Sequence, residues 1–143
     1  MRDEVFLAAA ALLAMANAAQ AGLYAVSDLG VLTGTEATIE GVNNSGKVAA
    51  SKDANGAYAA MLYGGAWTNL GTLGGMDSFG ADANDSVRVV GSSTSAEGPI
   101  RAFLWTPGGT DGVPSNPQMK DLSTLGGPSS MAFAINSSGQ VAG

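Results

Sequence analysis

The chain has 143 residues, a formal net charge of −6, no cysteine and no histidine. The missing cysteine excludes disulfides, thiolate metal sites and sulfur nucleophiles, and the missing histidine excludes the Ser-His-Asp triad and histidine-based zinc sites. The acidic balance argues against binding to nucleic acid or to anionic membrane surfaces, because both require basic patches. The length suits one domain of ordinary size.

The N-terminal residues predict a signal peptide at residues 1–21. Val5 to Ala16 form an apolar run, which is too short for the ~20 residues of a bilayer span but typical of a signal-peptide core. We place cleavage after Ala21, at Ala19-Gln20-Ala21, with Ala16-Asn17-Ala18 as an alternative site. We therefore expect a secreted or cell-surface protein without a membrane span after signal removal.

The leading segment of this signal departs from the usual positive charge. Arg2 is offset by Asp3 and Glu4. Three alternatives stay open: the true start lies upstream, the apolar run is a buried helix of the mature fold, or it is an uncleaved anchor. Export accounts best for the apolar core and the small residues that follow it.

Internal repetition is the main feature of residues 22–143, which we interpret as one β-repeat region. Three windows align without a gap, at Asp28 to Ser51, Asn69 to Ser92 and Asp121 to Gly143. They define units at roughly 28–69, 70–121 and a truncated 122–143, the second carrying an insertion at Pro107 to Pro114. Six positions agree in all three windows: Leu29/Leu70/Leu122, Leu32/Leu73/Leu125, Gly34/Gly75/Gly127, Asn43/Asn84/Asn136, Ser45/Ser86/Ser138 and Val48/Val89/Val141.

Each full unit predicts four short strands, because apolar stretches alternate with clusters of turn residues. The first unit supplies Thr38 to Val42, Lys47 to Ser51, Tyr58 to Tyr63 and Trp67 to Leu70. The second supplies Ser78 to Ala83, Val87 to Val90, Ile100 to Thr106 and Gln118 to Leu122. The third supplies Met131 to Ile135 and Gln140 to Ala142.

The repeated Asn and Gly residues predict turns. Asn-x-Ser-Gly, at Asn43 to Gly46 and at Asn136 to Gly139, suits an Asn that bonds its own backbone and a Gly that accepts a left-handed conformation. The same triplets match the N-glycosylation pattern, but their recurrence in phase favours the turn. Gly34, Gly75 and Gly127 follow a Leu-x-x-Leu segment, where we expect a positive φ.

These elements predict an all-β fold of antiparallel four-stranded repeats, with about two and a half β-propeller-like blades after an N-terminal signal helix. A single blade cannot bury its faces alone, so neighbouring blades must stack. Since propellers typically need four or more blades, we expect a truncated reading frame or a piece of a longer repeat protein. Open strand edges predict possible self-association.

Two of the repeated motifs resemble the bacterial extracellular HAF-repeat family. They are Asn69 to Gly75 and Asp121 to Gly127, the latter followed by Ala134 to Gly143. The family's His-Ala-Phe-Leu-Trp strand is matched by Arg101 to Trp105 and, more weakly, by Ala59 to Tyr63, so the eponymous histidine is absent from both copies. The resemblance covers residues 24–143 and implies secretion or cell-surface placement and a β-rich repeat architecture, but no activity.

Candidate chemistry is confined to carboxylates and aromatic residues. Asp77, Asp82 and Asp85 could form a calcium loop, because hard cations bind Asp and Asn oxygens. Their spacing is not Asp-x-Asp-x-Asp-Gly, which favours a solvated loop. The exposed-aromatic candidates for carbohydrate stacking are Tyr63, Trp67 and Trp105, although their positions within the repeat favour core packing.

We therefore assign no catalytic residue, no metal site and no cofactor, and the binding residues stay unknown. The leading hypothesis is an exported binding or structural module with a surface, glycan or protein ligand. The alternative is an extracellular carbohydrate-active enzyme that uses loop Asp or Glu residues, since glycoside hydrolysis needs only paired carboxylates. A third is a piece that folds poorly and has no function of its own.

Overall fold

The computed structural model describes residues 27–30, 32 and 36–143, so the predicted signal peptide lies outside the described residues. Strands, turns and loops form this part of the chain, which contains no helix. Its strands are β1 (Ala37–Val42), β2 (Val48–Asp53), β3 (Tyr58–Tyr63), β4 (Trp67–Asn69), β5 (Gly74–Ala83), β6 (Val89–Ser95), β7 (Ile100–Trp105), β8 (Met119–Asp121), β9 (Ala134–Ile135) and β10 (Val141–Ala142).

The strands form antiparallel sheets in which neighbours in sequence are neighbours in space. Sheet 1 has the order β1-β2-β3-β4, sheet 2 has the order β5-β6-β7-β8, and sheet 3 is the pair β9-β10. The registers correspond, because Val48 pairs with Tyr63 in sheet 1 and Val89 pairs with Trp105 in sheet 2. The predicted all-β, antiparallel fold is confirmed.

The predicted strands are found with shifted ends. Tyr58–Tyr63 is confirmed residue for residue, whereas the predicted strand from Met131 shortens to Ala134–Ile135. The predicted strand from Val87 is wrong at its start, because Val87 has a φ of 62° and lies in a turn. That strand begins at Val89 and continues to Ser95. Its second half is rich in serine and lacks the apolar alternation that would have predicted a strand.

The predicted Asn turns are confirmed, and the Asn side chain closes each one. Asn43 Oδ1 accepts hydrogen bonds from the backbone N–H groups of Ser45 at 2.9 Å and Lys47 at 2.8 Å. The fourth residue of each turn has a positive φ, which is 70° at Gly46, 62° at Val87 and 83° at Gly139. A β-branched residue is strained in this conformation, so Val87 carries a cost that the two glycines avoid.

Replacement of Gly46 by Ala measures this backbone cost. No atom lies within 4 Å of a Cβ built on Gly46, so the change adds strain without a clash. We expect Gly46→Ala to lower the free energy of unfolding by about 1–2 kcal/mol in urea denaturation. The control is Gly64→Ala, in which the new Cβ makes only ordinary contact and the expected change is neutral or slightly stabilising. Equal effects of the two substitutions would contradict the assignment.

The prediction of positive φ at the Leu-x-x-Leu-x-Gly positions is wrong by one residue. The left-handed residues are Gly74, with φ 102°, and Gly126, with φ 101°, rather than Gly75 and Gly127; Gly34 lies outside the described residues. Gly75 is required for a different reason, because a Cβ there would lie 2.5 Å from the Thr94 hydroxyl oxygen. Close approach, not φ, excludes a side chain at that position.

The core lies between the sheets. The larger cluster joins the faces of sheets 1 and 2 and the link between them: Ala49, Ala60, Leu62, Leu70, Leu73, Ala83, Val89, Phe103, Trp105 and Met119. A second cluster joins sheets 2 and 3: Val90, Ala102, Ala132 and Ile135. The small residues on sheet 1 allow β5 to approach closely, since a Cβ on Gly80 would lie 2.8 Å from the Ala50 carbonyl oxygen. Each sheet thus buries its apolar face against the next.

Candidate functional sites

Two of the three candidate carboxylates bind the first unit, one at β3 and one at the turn between β1 and β2. Asp77 Oδ1 accepts a hydrogen bond from Tyr58 N at 2.9 Å. Asp85 accepts two hydrogen bonds from Asn44. The backbone N of Asn44 donates to Asp85 Oδ1 at 2.9 Å, and the side-chain Nδ2 of Asn44 donates to Asp85 Oδ2 at 2.9 Å. Both side chains therefore connect the second unit to the first, a role that neither the calcium loop nor the solvated loop anticipated.

The third carboxylate connects the second unit to sheet 3. Asp82 Oδ2 accepts a hydrogen bond from Ile135 N at 2.9 Å, and Oδ1 accepts one from Ala83 N at 2.8 Å. No group of three metal-ligating side chains is present within residues 27–30, 32 and 36–143. The three carboxylates are thus distributed over two junctions and do not converge on one point.

The repeated Asn residues form a ladder between successive turns. Asn43 Nδ2 donates to the Asn84 carbonyl oxygen at 2.7 Å, and Asn84 Nδ2 donates to the Asn136 carbonyl oxygen at 3.0 Å. Sequence reasoning found the turns but missed this ladder. The available signal was that all three windows carry Asn, because a turn alone also tolerates Asp, whereas the ladder needs the NH₂ donor.

Repeated serines connect the sheets in the same way. Ser78 Oγ accepts a hydrogen bond from Ala60 N, and Ser130 Oγ accepts one from Ala102 N, both at 2.9 Å. Ser78 and Ser130 occupy equivalent positions in their windows, and Ala60 and Ala102 occupy equivalent positions of β3 and β7. The junctions between sheets 1 and 2 and between sheets 2 and 3 therefore share their polar contacts.

The aromatic candidates divide into one core residue and two half-buried residues. Trp105 is 7% exposed and belongs to the larger core cluster, so its core packing is confirmed. Trp67 packs on the cluster of Ala50, Ala59 and Met61, and its Nε1 donates to the Leu29 carbonyl oxygen at 3.0 Å. The rings of Tyr63 and Trp67 contact each other at a centroid distance of 5.2 Å.

Tyr58, the first residue of the inner strand β3, lies beside an acidic group. Its hydroxyl donates to Glu36 Oε2 at 3.3 Å, and its ring stacks on Phe79 at 4.8 Å. The negative charge of Glu36 and the hydrogen bond to it raise the pKa of Tyr58 above the usual value of 10.0, because both disfavour the tyrosinate. The associated stability is present below the unfolded-state pKa and is lost as the pH rises through the folded-state pKa.

Removal of the Glu36 charge tests this electrostatic contact. We expect Glu36→Gln to lower the pKa of Tyr58 towards its usual value, as followed by the ultraviolet absorbance of tyrosinate. Tyr58→Phe identifies which of the three tyrosines of the chain gives the shifted titration. An unchanged titration in Glu36→Gln would show that burial or another acidic group determines the shift.

An open cleft lies where the end of sheet 1 meets the loop between β7 and β8. Its volume is about 570 Å³, and its lining is uncharged: Thr68, Asn69, Leu70, Gly71, Thr72, Gly74, Trp105, Ser115, Asn116 and Gln118. Asn116 Nδ2 fixes one wall by donating to the Leu70 carbonyl oxygen at 2.8 Å. The cleft can thus offer hydroxyl and amide groups to a neutral ligand, and the buried Trp105 contributes to its floor.

The inserted segment, Pro107 to Pro114, is folded against sheet 2 and precedes the loop residues that line this cleft. Val113 packs on the core, and its backbone N donates to the Met119 carbonyl oxygen at 3.0 Å. At the surface Lys120 Nζ pairs with Asp111 Oδ2 at 2.7 Å, and the hydrogen bond from Lys120 holds the pKa of Asp111 below its usual range. Sequence reasoning treated the insertion only as extra length and predicted neither these contacts nor the cleft that the following residues line.

The fold and these contacts define an all-β protein whose antiparallel sheets pack face to face and are joined by repeated side-chain hydrogen bonds. No family model, curated protein or solved structure matches the chain. Within the described ranges, no helix is long and apolar enough to cross a membrane.

Proposed function

We propose that the chain is an exported β-repeat protein whose sheets are β-propeller-like blades, and that it acts as a binding or structural module at the cell surface or outside the cell. The repeated junction contacts support the blade interpretation, because equivalent Asn and Ser residues join sheet 1 to sheet 2 and sheet 2 to sheet 3. The resemblance to HAF repeats and the predicted signal peptide support export.

The uncharged cleft at Trp105 indicates which class of ligand the chain would bind. The chain has a net charge of −6, yet the cleft lining contains no ionisable residue. Neutral hydroxyl and amide groups are suited to a polyhydroxylated ligand, which they recognise by hydrogen bonds rather than by charge. A neutral glycan segment is the ligand that this lining fits best.

The carboxylates favour binding over hydrolysis. Hydrolysis of a glycoside needs two carboxyl groups on opposite sides of one bond, but Asp77, Asp82 and Asp85 each accept hydrogen bonds at a junction between units. None of the three lines the cleft at Trp105. We expect no turnover of neutral polysaccharides, and an activity that Asp82→Asn abolishes without unfolding the protein would instead support the enzyme alternative.

A glycan array probed with the purified chain tests the binding proposal. We expect saturable binding to a neutral glycan and a loss of about tenfold in affinity on Thr68→Ala or Gln118→Ala, since each removes one cleft hydrogen bond worth about 1.4 kcal/mol at most. Thr38→Ala is the matched control, because Thr38 is also an exposed strand residue of sheet 1 but lies outside the cleft. Binding that survives both cleft substitutions would place the ligand elsewhere.

A further inference from the structure

On sheet 1 two apolar side chains of β1, Ile39 and Val42, are not covered by any other described residue, and we call them the head surface. These side chains are 59% and 68% exposed. The residues equivalent to Val42 in the next two windows are Ala83, at 4% exposure, and Ile135, at 7%, because each packs on the preceding sheet. Val42 thus occupies a position that is buried in the other two units, but no described residue covers it.

On sheet 3 the complementary surface is not covered by any other described residue; we call it the tail surface and define it as Ala134 and Ala142. Both alanines are exposed. The residues equivalent to Ala142 are Ala49 and Val90, both with 0% exposure, because the following sheet covers them. The tail surface is therefore the face on which a following sheet would pack.

The ladder of Asn side chains also ends at the head and tail surfaces, with its last donor and its first acceptor not bonded to another turn. Asn136 Nδ2 donates to Gln140 Oε1 of its own turn at 2.7 Å, whereas the equivalent groups of Asn43 and Asn84 donate to the carbonyl oxygen of the next turn. At the other end, the Asn43 carbonyl oxygen accepts only Gly46 N among the described residues, at 3.1 Å. A donor at the tail and an acceptor at the head are thus available for one more contact of the same kind.

The charge distribution permits this contact between two copies of an acidic chain. The head surface is flanked by Glu36 and Glu40, whereas residues 122–143, which carry the tail surface, contain no charged residue. Depletion of charge is typical of the centre of protein–protein interfaces. Residues 122–143 therefore add no charged side chain of their own that would repel the acidic head of a second copy.

We infer that the head surface of one copy binds the tail surface of a second copy and continues the junction already formed twice within the chain. Val42 of one copy packs on Ala142 of the other, and Asn136 of that other copy turns from Gln140 to the Asn43 carbonyl oxygen. Because the two surfaces differ, the contact is head-to-tail and generates a closed ring or a filament. The inference rests on the blade-like stacking proposed above but is independent of the ligand.

Sedimentation velocity on the full chain and its surface variants tests the inference. We expect the wild type to associate with rising concentration, and we expect Val42→Asp and Ala142→Asp each to reduce this association at least tenfold. An equimolar mixture of the two variants should form a discrete heterodimer, because the intact tail of one variant meets the intact head of the other. Isologous pairing of like surfaces would not produce this rescue by mixing.

Met76→Asp is the control, since Met76 is 70% exposed, lies on β5 outside both surfaces and receives the same charge. Ile39→Asp replaces Val42→Asp if circular dichroism shows that the latter does not fold. A monomeric wild type overturns the inference. Association that neither surface variant reduces also overturns it, because the apolar N-terminal segment alone would give that result. Glycan binding is measured separately, so its failure leaves this result unaffected.

Discussion

Phe103→Ala is expected to lower the free energy of unfolding by about 3–5 kcal/mol. Phe103 has 0% exposure in β7 and belongs to the cluster between sheets 1 and 2. Truncation removes apolar contacts and leaves a cavity that the surrounding strands can fill only in part, because its neighbours are held by the ladders of sheet 2. A loss of this size is a large fraction of the stability of a small domain, so the variant is expected to be unfolded or close to it at 37 °C.

Phe133→Ala is the matched control for this prediction. It removes the same side chain at a position that is 66% exposed, so the expected change is within about 0.5 kcal/mol. Both variants are compared by urea denaturation in dilute solution, where contact between copies contributes least. Similar losses at Phe103 and Phe133 would mean that the core does not lie between the sheets.

Asn84→Ala is expected to cost about 2–4 kcal/mol, because one buried side chain serves both a turn and a junction. Asn84 is 4% exposed; its Oδ1 accepts from Arg88 N at 3.0 Å and its Nδ2 donates to the Asn136 carbonyl oxygen. Truncation removes both hydrogen bonds and leaves the Arg88 amide without its acceptor at a partly buried site, which carries a penalty of its own. Urea denaturation measures the loss.

Two further variants separate the turn from the junction. Asn84→Asp retains the acceptor for Arg88 N but loses the donor to Asn136, so it is expected to destabilise sheet 3 more than the turn. Asn136→Ala removes an exposed amide that bonds only within its own turn, and it should cost about 1 kcal/mol or less. Hydrogen exchange at Ile135, and at Phe133, whose N–H donates to the Ala142 carbonyl oxygen, reports on sheet 3. Equal protection of these amides in Asn84→Asp and in the wild type would show that the Asn84 side chain does not stabilise the junction with sheet 3.

Much of the strand pattern could be predicted because it is local. The segment Tyr58–Tyr63 was found to the residue, since turn residues flank an apolar run on both sides. The errors occur where tertiary contacts override local preference. Val87 has the side chain of a strand residue, yet the repeated turn places it at a φ of 62°. The segment from Ser92 to Ser95 lies in β6 because it pairs with β5 and β7, not because of its own composition.

The candidate sites were less predictable, because they depend on which segments meet. Asp77, Asp82 and Asp85 are close in sequence, but they bond to Tyr58, Ile135 and Asn44, which belong to two different units. The cleft at Trp105 is lined in part by Ser115, Asn116 and Gln118, and the fold of their loop is set by a few backbone contacts to β8. No local pattern encodes the direction in which such a loop folds back.

The sequence by itself determined the all-β class and the turns, because apolar alternation, Asn and Gly act over a few residues. The three aligned windows also indicated that equivalent residues occupy equivalent places in the fold. Only the tertiary structure decided which groups the repeated Asn and Ser residues bind, which carboxylates serve the junctions, and which apolar faces stay uncovered. Those outcomes depend on the packing of one sheet against another, and hydrogen bonds across that packing join residues 18 to 53 positions apart in the chain.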